Sequence, residues 1–135
     1  MSATGTGQLA AINVEDNNSI NGVGEGLKPV GRGKIISIYG TGQGPVNGAP
    51  PDGVPPTGPV ATDVKPIVVI NNRLDDKDIL YSGLAPGLVG VWQLNLRVPE
   101  TVPPGNRILV VISFRDIASN NPQNIQQIVT TIAVQ

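Results

Sequence analysis

Seven consecutive residues, Trp92-Gln93-Leu94-Asn95-Leu96-Arg97-Val98, alternate apolar with polar without a slip. A period of two describes a strand with one face against a core and the other against water. Such a strand needs partners in a sheet, and the sheet needs a second layer over its apolar face. The rest of the chain supplies both. Val and Ile dominate its apolar residues, and β-branched side chains are stiff at χ1 and suit a pleated surface. The sequence places 17 Gly and 13 Pro among 135 residues, which breaks helices and marks turns along its whole length. The expectation is many short strands, little helix, and one domain over residues 1–135, a length that buries roughly two-thirds of the surface its unfolded form exposes.

Further strands follow from the same periodicity. Ile108, Val110, Ile112 and Phe114 share one face of a segment whose other face carries Leu109 and Val111, so this strand is expected at the centre of a sheet. Gln127 to Val134 is the last strand, with Ile128, Ile132 and Val134 on one side. Lys34 to Tyr39 follows the Gly31-Arg32-Gly33 turn, and Pro66 to Ile70 opens on a proline, which a strand accommodates at its first residue. Asp78 to Tyr81 is expected to pair with Pro66–Ile70 through Asn71-Asn72. Gln8 to Val14 is the first strand, with Ala10, Ile12 and Val14 facing one way. About seven short alternating strands separated by turns predict an all-β, immunoglobulin-like β-sandwich. Residues 40–63 are a long Gly/Pro-rich loop without periodicity, read as a polyproline-like strap on the sandwich or a functional loop. Asn120-Asn121-Pro122 is the turn signal of the connection before the last strand.

Composition removes several function classes. The chain has no Cys and no His, so it forms no disulfide, thiol nucleophile or Ser-His-Asp triad. Its net charge is −1 and no basic block is present, which argues against nucleic acid as a partner. No apolar run approaches the roughly 18 residues that would span a bilayer as a helix. Met1-Ser2-Ala3-Thr4-Gly5 lacks the pattern of a signal peptide.

Several segments carry a resemblance. Gly7-Gln8-Leu9-Ala10-Ala11-Ile12-Asn13 opens it. Gly33-Lys34-Ile35-Ile36-Ser37-Ile38-Tyr39-Gly40-Thr41-Gly42-Gln43-Gly44-Pro45 follows a G-x-x-x-S-I-Y-G-T-G-x-G-P pattern. Leu80-Tyr81-Ser82-Gly83-Leu84-Ala85-Pro86-Gly87-Leu88-Val89-Gly90-Val91-Trp92-Gln93-Leu94-Asn95 forms its central block. Val98-Pro99, Pro104-Gly105-Asn106 and Thr131-Ile132-Ala133-Val134 complete it. Over nearly the whole chain these residues resemble the uncharacterised Solibacter-type C-terminal domain family of acidobacteria. The resemblance implies an Ig-like module of a long exported bacterial protein, outside the cell or on its surface, of which this chain is one domain. It assigns no catalytic residue. Asn71 to Asp78 and Asn120 to Gln126 depart from the family's pattern.

Each candidate site has a plain structural reading beside it. Gly40-Thr41-Gly42-Gln43-Gly44 superficially resembles a phosphate loop, but Pro45 and the tract after it offer no helix to complete one, so a tight turn is expected. Asp75, Asp76 and Asp78 are the densest acidic group, a calcium candidate on oxygen count; Arg73 and Lys77 among them favour a solvated hairpin tip. Glu15-Asp16-Asn17-Asn18 is a second acidic turn with the same two readings. Glu15, Glu25, Glu100, Asp52, Asp63 and Asp116 sit in turns or strand ends, with nothing local to raise a pKa for glycoside hydrolysis. Trp92 falls on its strand's apolar face and is read as core. Tyr39 and Tyr81 near strand ends are the candidates for a polysaccharide ligand. A Lys–Asn isopeptide from Lys34 or Lys65 lacks an evident acidic partner. The terminal segments Gly5–Val14 and Gln127–Gln135 can close their own sandwich or pair with another copy. The expected function is non-catalytic: a structural or adhesive module, spacer, anchor or self-association domain, with no cofactor. The alternatives are a filament or array subunit assembled by strand pairing, and a carbohydrate-binding module. Its partners would be other domains of the parent protein or copies of itself.

Overall fold

The computed structural model describes residues 7–114, 117–118 and 130–135. Twelve strands are present among them: β1 (Gly7–Gln8), β2 (Ala11–Asn13), β3 (Ser19–Ile20), β4 (Ile35–Gly40), β5 (Val60–Ala61), β6 (Ile67–Ile70), β7 (Asn72–Arg73), β8 (Ile79–Leu84), β9 (Trp92–Arg97), β10 (Gly105–Phe114), β11 (Ile117–Ala118) and β12 (Thr130–Val134). Among the described residues a single 3₁₀ turn, Asp76–Asp78, is present, and it precedes β8. One sheet runs β1-β12-β10-β6-β7, with β11 paired to β10; the other runs β3-β2-β4-β9-β8-β5. The two sheets pack face to face as an all-β sandwich, and their inward residues form one core. Asp116, the Asn120-Asn121-Pro122 turn, the Asn120 to Gln126 departure, residues 127–129 of the expected last strand, and residues 1–6 lie outside the described residues.

The alternation in β9 is realised as read. Trp92, Leu94 and Leu96 are buried, while Gln93, Asn95 and Arg97 face outward. Trp92 packs on Phe114 of the opposite sheet at 5.1 Å between ring centroids and 57° between planes, a tilted geometry that suits the ring quadrupoles. Its indole Nε1 donates to Ser82 Oγ at 3.0 Å, so the one polar atom taken into the core is satisfied. β10 lies between β12 and β6 and buries Val110, Ile112 and Phe114. Its opposite face is more open, with Leu109 39% exposed.

Two expectations are corrected. The expected hairpin between Pro66–Ile70 and Asp78–Tyr81 does not form. Asn71, at φ 62°, turns β6 directly back onto β7, and β8 pairs instead with β9 and β5 in the other sheet. Leu74 is buried and its N–H donates to Val68 O at 2.8 Å. Lys65 Nζ holds the crossing by donating to Asp76 O at 3.0 Å and Ile79 O at 3.1 Å. On the far layer β8 buries Ile79 and Leu84, and a local turn signal does not report which layer a strand joins. The expected first strand, Gln8 to Val14, breaks in two. β1 runs parallel to β12, and two residues later β2 joins β4 in the opposite sheet. The phase also reverses. Ala11 and Asn13 are the buried residues of β2 while Ile12 is half-buried and Val14 is 37% exposed. Asn13 displaces isoleucine from the interior because its amide finds partners there.

Candidate functional site

The polar cluster that fixes this reversal is built around two asparagines, each 1% exposed. Asn13 Nδ2 donates to Lys28 O at 2.8 Å and to Ser19 Oγ at 3.1 Å. Asn13 Oδ1 accepts from Asn21 Nδ2 at 3.0 Å. Asn21 Nδ2 also donates to Ala133 O at 2.9 Å, and Asn21 Oδ1 accepts from Ala133 N at 2.9 Å and from Gln8 Nε2 at 2.7 Å. The Asn21 amide therefore copies a backbone peptide, engaging both polar groups of Ala133 as a neighbouring strand would. A buried amide satisfied in this way costs little and is expensive to disturb.

The cluster sits in a longer seam along β12. Thr130 and Thr131 face Gly7 and Gln8 in parallel register. Leu9 N donates to Thr131 O at 2.9 Å, Val30 N to Ala133 O at 2.9 Å, and Gln135 N to Val30 O at 2.8 Å. From Thr131 to Gln135 the outer edge of the last strand is thus bonded to its own chain by β1, Asn21 and Val30 in succession. The other sheet edges are short. Among the described residues, β1, β7, β3 and β5 end the two sheets with two residues each, and short edges give little template for a foreign strand.

The acidic turn Glu15-Asp16-Asn17-Asn18 closes the near end of this seam. Asn17 and Asn18 take positive φ, 54° and 55°. Asp16 Oδ2 accepts from Ser19 Oγ at 2.8 Å and lies 3.3 Å from Lys28 Nζ. The Ser19 hydrogen bond, then the one from Lys28, holds the Asp16 carboxyl below its usual value. Glu15 lies 3.8 Å from Lys34. These carboxylates are matched to lysines and to Ser19. Asp76 and Asp78 stand on the 3₁₀ turn and Asp75 just before it, rather than at a hairpin tip, and Asp75 is 3.4 Å from Lys77. Among the described residues no three acidic side chains gather as metal ligands would. Lys34 is paired with Glu15 and Lys65 with carbonyl oxygens, so neither amine lies in the arrangement an isopeptide requires.

The expected loop over residues 40–63 is shorter at both ends, because Gly40 closes β4 and Val60–Ala61 pair with Leu84 and Gly83 as the edge strand β5. Residues 41–59 form the strap at the end of the β3–β5 sheet. Gly42 and Gly44 hold φ of 91° and 75°, the tight turn expected there, and no helix follows them. The far end is pinned: Gly87 N donates to Pro56 O and Thr62 N to Ser82 O, each at 2.8 Å. Between the strap and Leu84, Val89 and Gly90 lies a cleft of about 220 Å³. Gln43 lines it and is 9% exposed; among the described residues its Oε1 is the one buried side-chain polar atom without a partner.

Tyr39 and Tyr81 are both half-buried on the outer face of the β3–β5 sheet. Tyr81 Oη donates to Leu84 O at 2.8 Å and accepts from Val60 N at 3.2 Å. A Cβ at Gly83 would collide with Val60 O and the Tyr81 phenol, so the ring lies along the strand over a residue without a side chain. Sequence reasoning missed Asn13 and Asn21, because asparagine is ordinarily a turn signal. No family model matches the chain, and neither a curated protein nor a solved structure matches it.

Proposed function

We propose that this domain is a non-catalytic structural module, a spacer or anchor that carries load within a longer exported chain. The observation that carries the reading is the parallel seam between β1 and β12. Force that draws β1 toward its N-terminal end and β12 toward its C-terminal end acts along both strands in opposite directions. The seam is then loaded in shear, and its hydrogen bonds share the force instead of breaking one after another. Asn21 and Val30 extend the shared set beyond the two residues of β1. The immunoglobulin-like type is supported by the seven strands longer than two residues: the first, second, fifth and fourth lie in one sheet, the third, sixth and seventh in the other, the order of the constant-type sandwich. Strand exchange into a filament would require the β12 edge, which is bonded from Thr131 to Gln135.

The test is single-molecule unfolding from two directions. The chain has no cysteine, so attachment sites can be introduced singly. Pulling through the two ends is expected to need clearly more force than pulling through Asn106→Cys and the C-terminal end. The second geometry peels the antiparallel β10–β12 pair from Gly105↔Val134 onward. Forced unfolding reports the barrier rather than the equilibrium. Equal forces in the two geometries would remove the load-bearing reading.

A further inference from the structure

We infer that the outer face of the β3–β5 sheet, between Tyr39 and Tyr81, binds a neutral polysaccharide. This site is separate from the seam, and the load-bearing reading neither requires it nor falls with it.

The placement follows from register. Tyr39 on β4 is opposite Gln93 on β9, and Gln93 is opposite Gly83 on β8. Ser37, Asn95 and Tyr81 form the adjoining row. Because Ile36, Ile38, Trp92, Leu94 and Leu96 point into the core, these residues point out. The Tyr81 ring occupies the space over Gly83, which puts it in the same row as Gln93 and Tyr39. The two tyrosines are then separated by two interstrand spacings, roughly 10 Å, about the length of a disaccharide. Tyr81 is fixed at its hydroxyl by Leu84 O and Val60 N, so little side-chain freedom remains to be lost on binding.

The ground between the rings is polar and selectively used. Asn95 Oδ1 accepts from Ser37 Oγ at 2.7 Å and from Gln93 Nε2 at 2.9 Å. Those bonds orient both amides. Among the described residues, no hydrogen bond engages Asn95 Nδ2 or Gln93 Oε1, which leaves one donor and one acceptor side by side on the face. A sugar hydroxyl donates and accepts at once and meets such a pair. The apolar C–H face of a pyranose stacks on an aromatic ring, as the flanking tyrosines allow. Charge selects against an anionic glycan. Arg97 is the one cationic side chain on the outward positions of β4, β8 and β9, and its Nη1 is engaged with Gly33 O at 3.0 Å.

The experiment is affinity electrophoresis and calorimetry of the whole chain with soluble β-glucan, xylan and galactomannan, with polygalacturonate as the anionic comparison. Binding to at least one neutral polymer is expected. Tyr39→Ala and Gln93→Ala should each weaken it about tenfold while leaving the melting temperature unchanged. Tyr81→Phe keeps the ring but loses the two bonds that fix it, and should weaken binding only partly, whereas Tyr81→Ala should abolish it. Three results would each overturn the proposal: no binding to any neutral polymer, binding indifferent to Tyr39→Ala and Gln93→Ala, or binding to polygalacturonate alone that salt abolishes.

Discussion

Asn21→Ala is the most demanding test of the seam. The Asn21 side chain makes four hydrogen bonds, two of them to Ala133, which is fully buried. Alanine at this position leaves Ala133 N and Asn13 Oδ1 without partners inside the protein. Ala133 O keeps its bond from Val30 N, and the half-buried Gln8 amide can turn toward water. Two stranded polar groups at about 1–3 kcal/mol each give an expected loss of about 2–6 kcal/mol, a large share of the roughly 5–15 kcal/mol typical of a domain. At this chain length, where each kcal/mol is worth about 3–4 °C, that corresponds to a fall in melting temperature of about 6–24 °C. Urea unfolding followed by the fluorescence of Trp92 measures the loss directly, since Trp92 is the only tryptophan and is buried against the opposite sheet. A double-mutant cycle sharpens the argument. Asn13→Ala removes the acceptor that Asn21→Ala strands, so the double variant should cost less than the sum of the singles. A loss below about 1 kcal/mol for Asn21→Ala, or strict additivity, would mean that water serves these groups and that the seam is not a sealed structure.

Other perturbations read other parts of the same logic. Asp16 has its carboxyl pKa lowered in the folded state, first by Ser19 and then by Lys28. Its contribution to stability is therefore complete above the ordinary aspartate value of 3.8 and is lost as pH falls through the lower folded value. The melting-temperature gap between the native protein and Asp16→Asn should be present at pH 7 and vanish in strong acid; a gap unchanged by acid would refute the assignment. Gly83→Ala should cost about 1–3 kcal/mol, read as a lower urea midpoint, because the new methyl must displace Val60 or the Tyr81 ring; a neutral outcome would mean that the strap end yields freely. Phe114→Ala should cost about 3–5 kcal/mol and red-shift the emission of Trp92, which in the native protein should be blue-shifted and protected from acrylamide. An already red-shifted native spectrum would contradict the packing of the two rings.

The local residues determined the class of the fold and the positions of its main strands. Alternation in Trp92–Val98, the paired apolar faces of Ile108–Phe114 and the dense Gly and Pro each depend on a few neighbouring residues and the geometry of a pleated chain. The burial of Trp92 and the glycine turn at Gly42 and Gly44 were legible for the same reason. Which layer a strand joins was not. β8 does not return to β6 but pairs with β9 and β5 in the opposite sheet, where Ile79 and Leu84 are buried. The clasp was equally hidden: Asn13 and Asn21 look like turn residues until Asn21 meets Ala133, 112 positions away. The platform formed by Tyr39, Gln93 and Tyr81 likewise exists only after three strands are in register. Periodicity is a property of a segment and can be read within it. Partnership is a competition among distant segments for buried surface and hydrogen bonds, and only the assembled tertiary structure decides it.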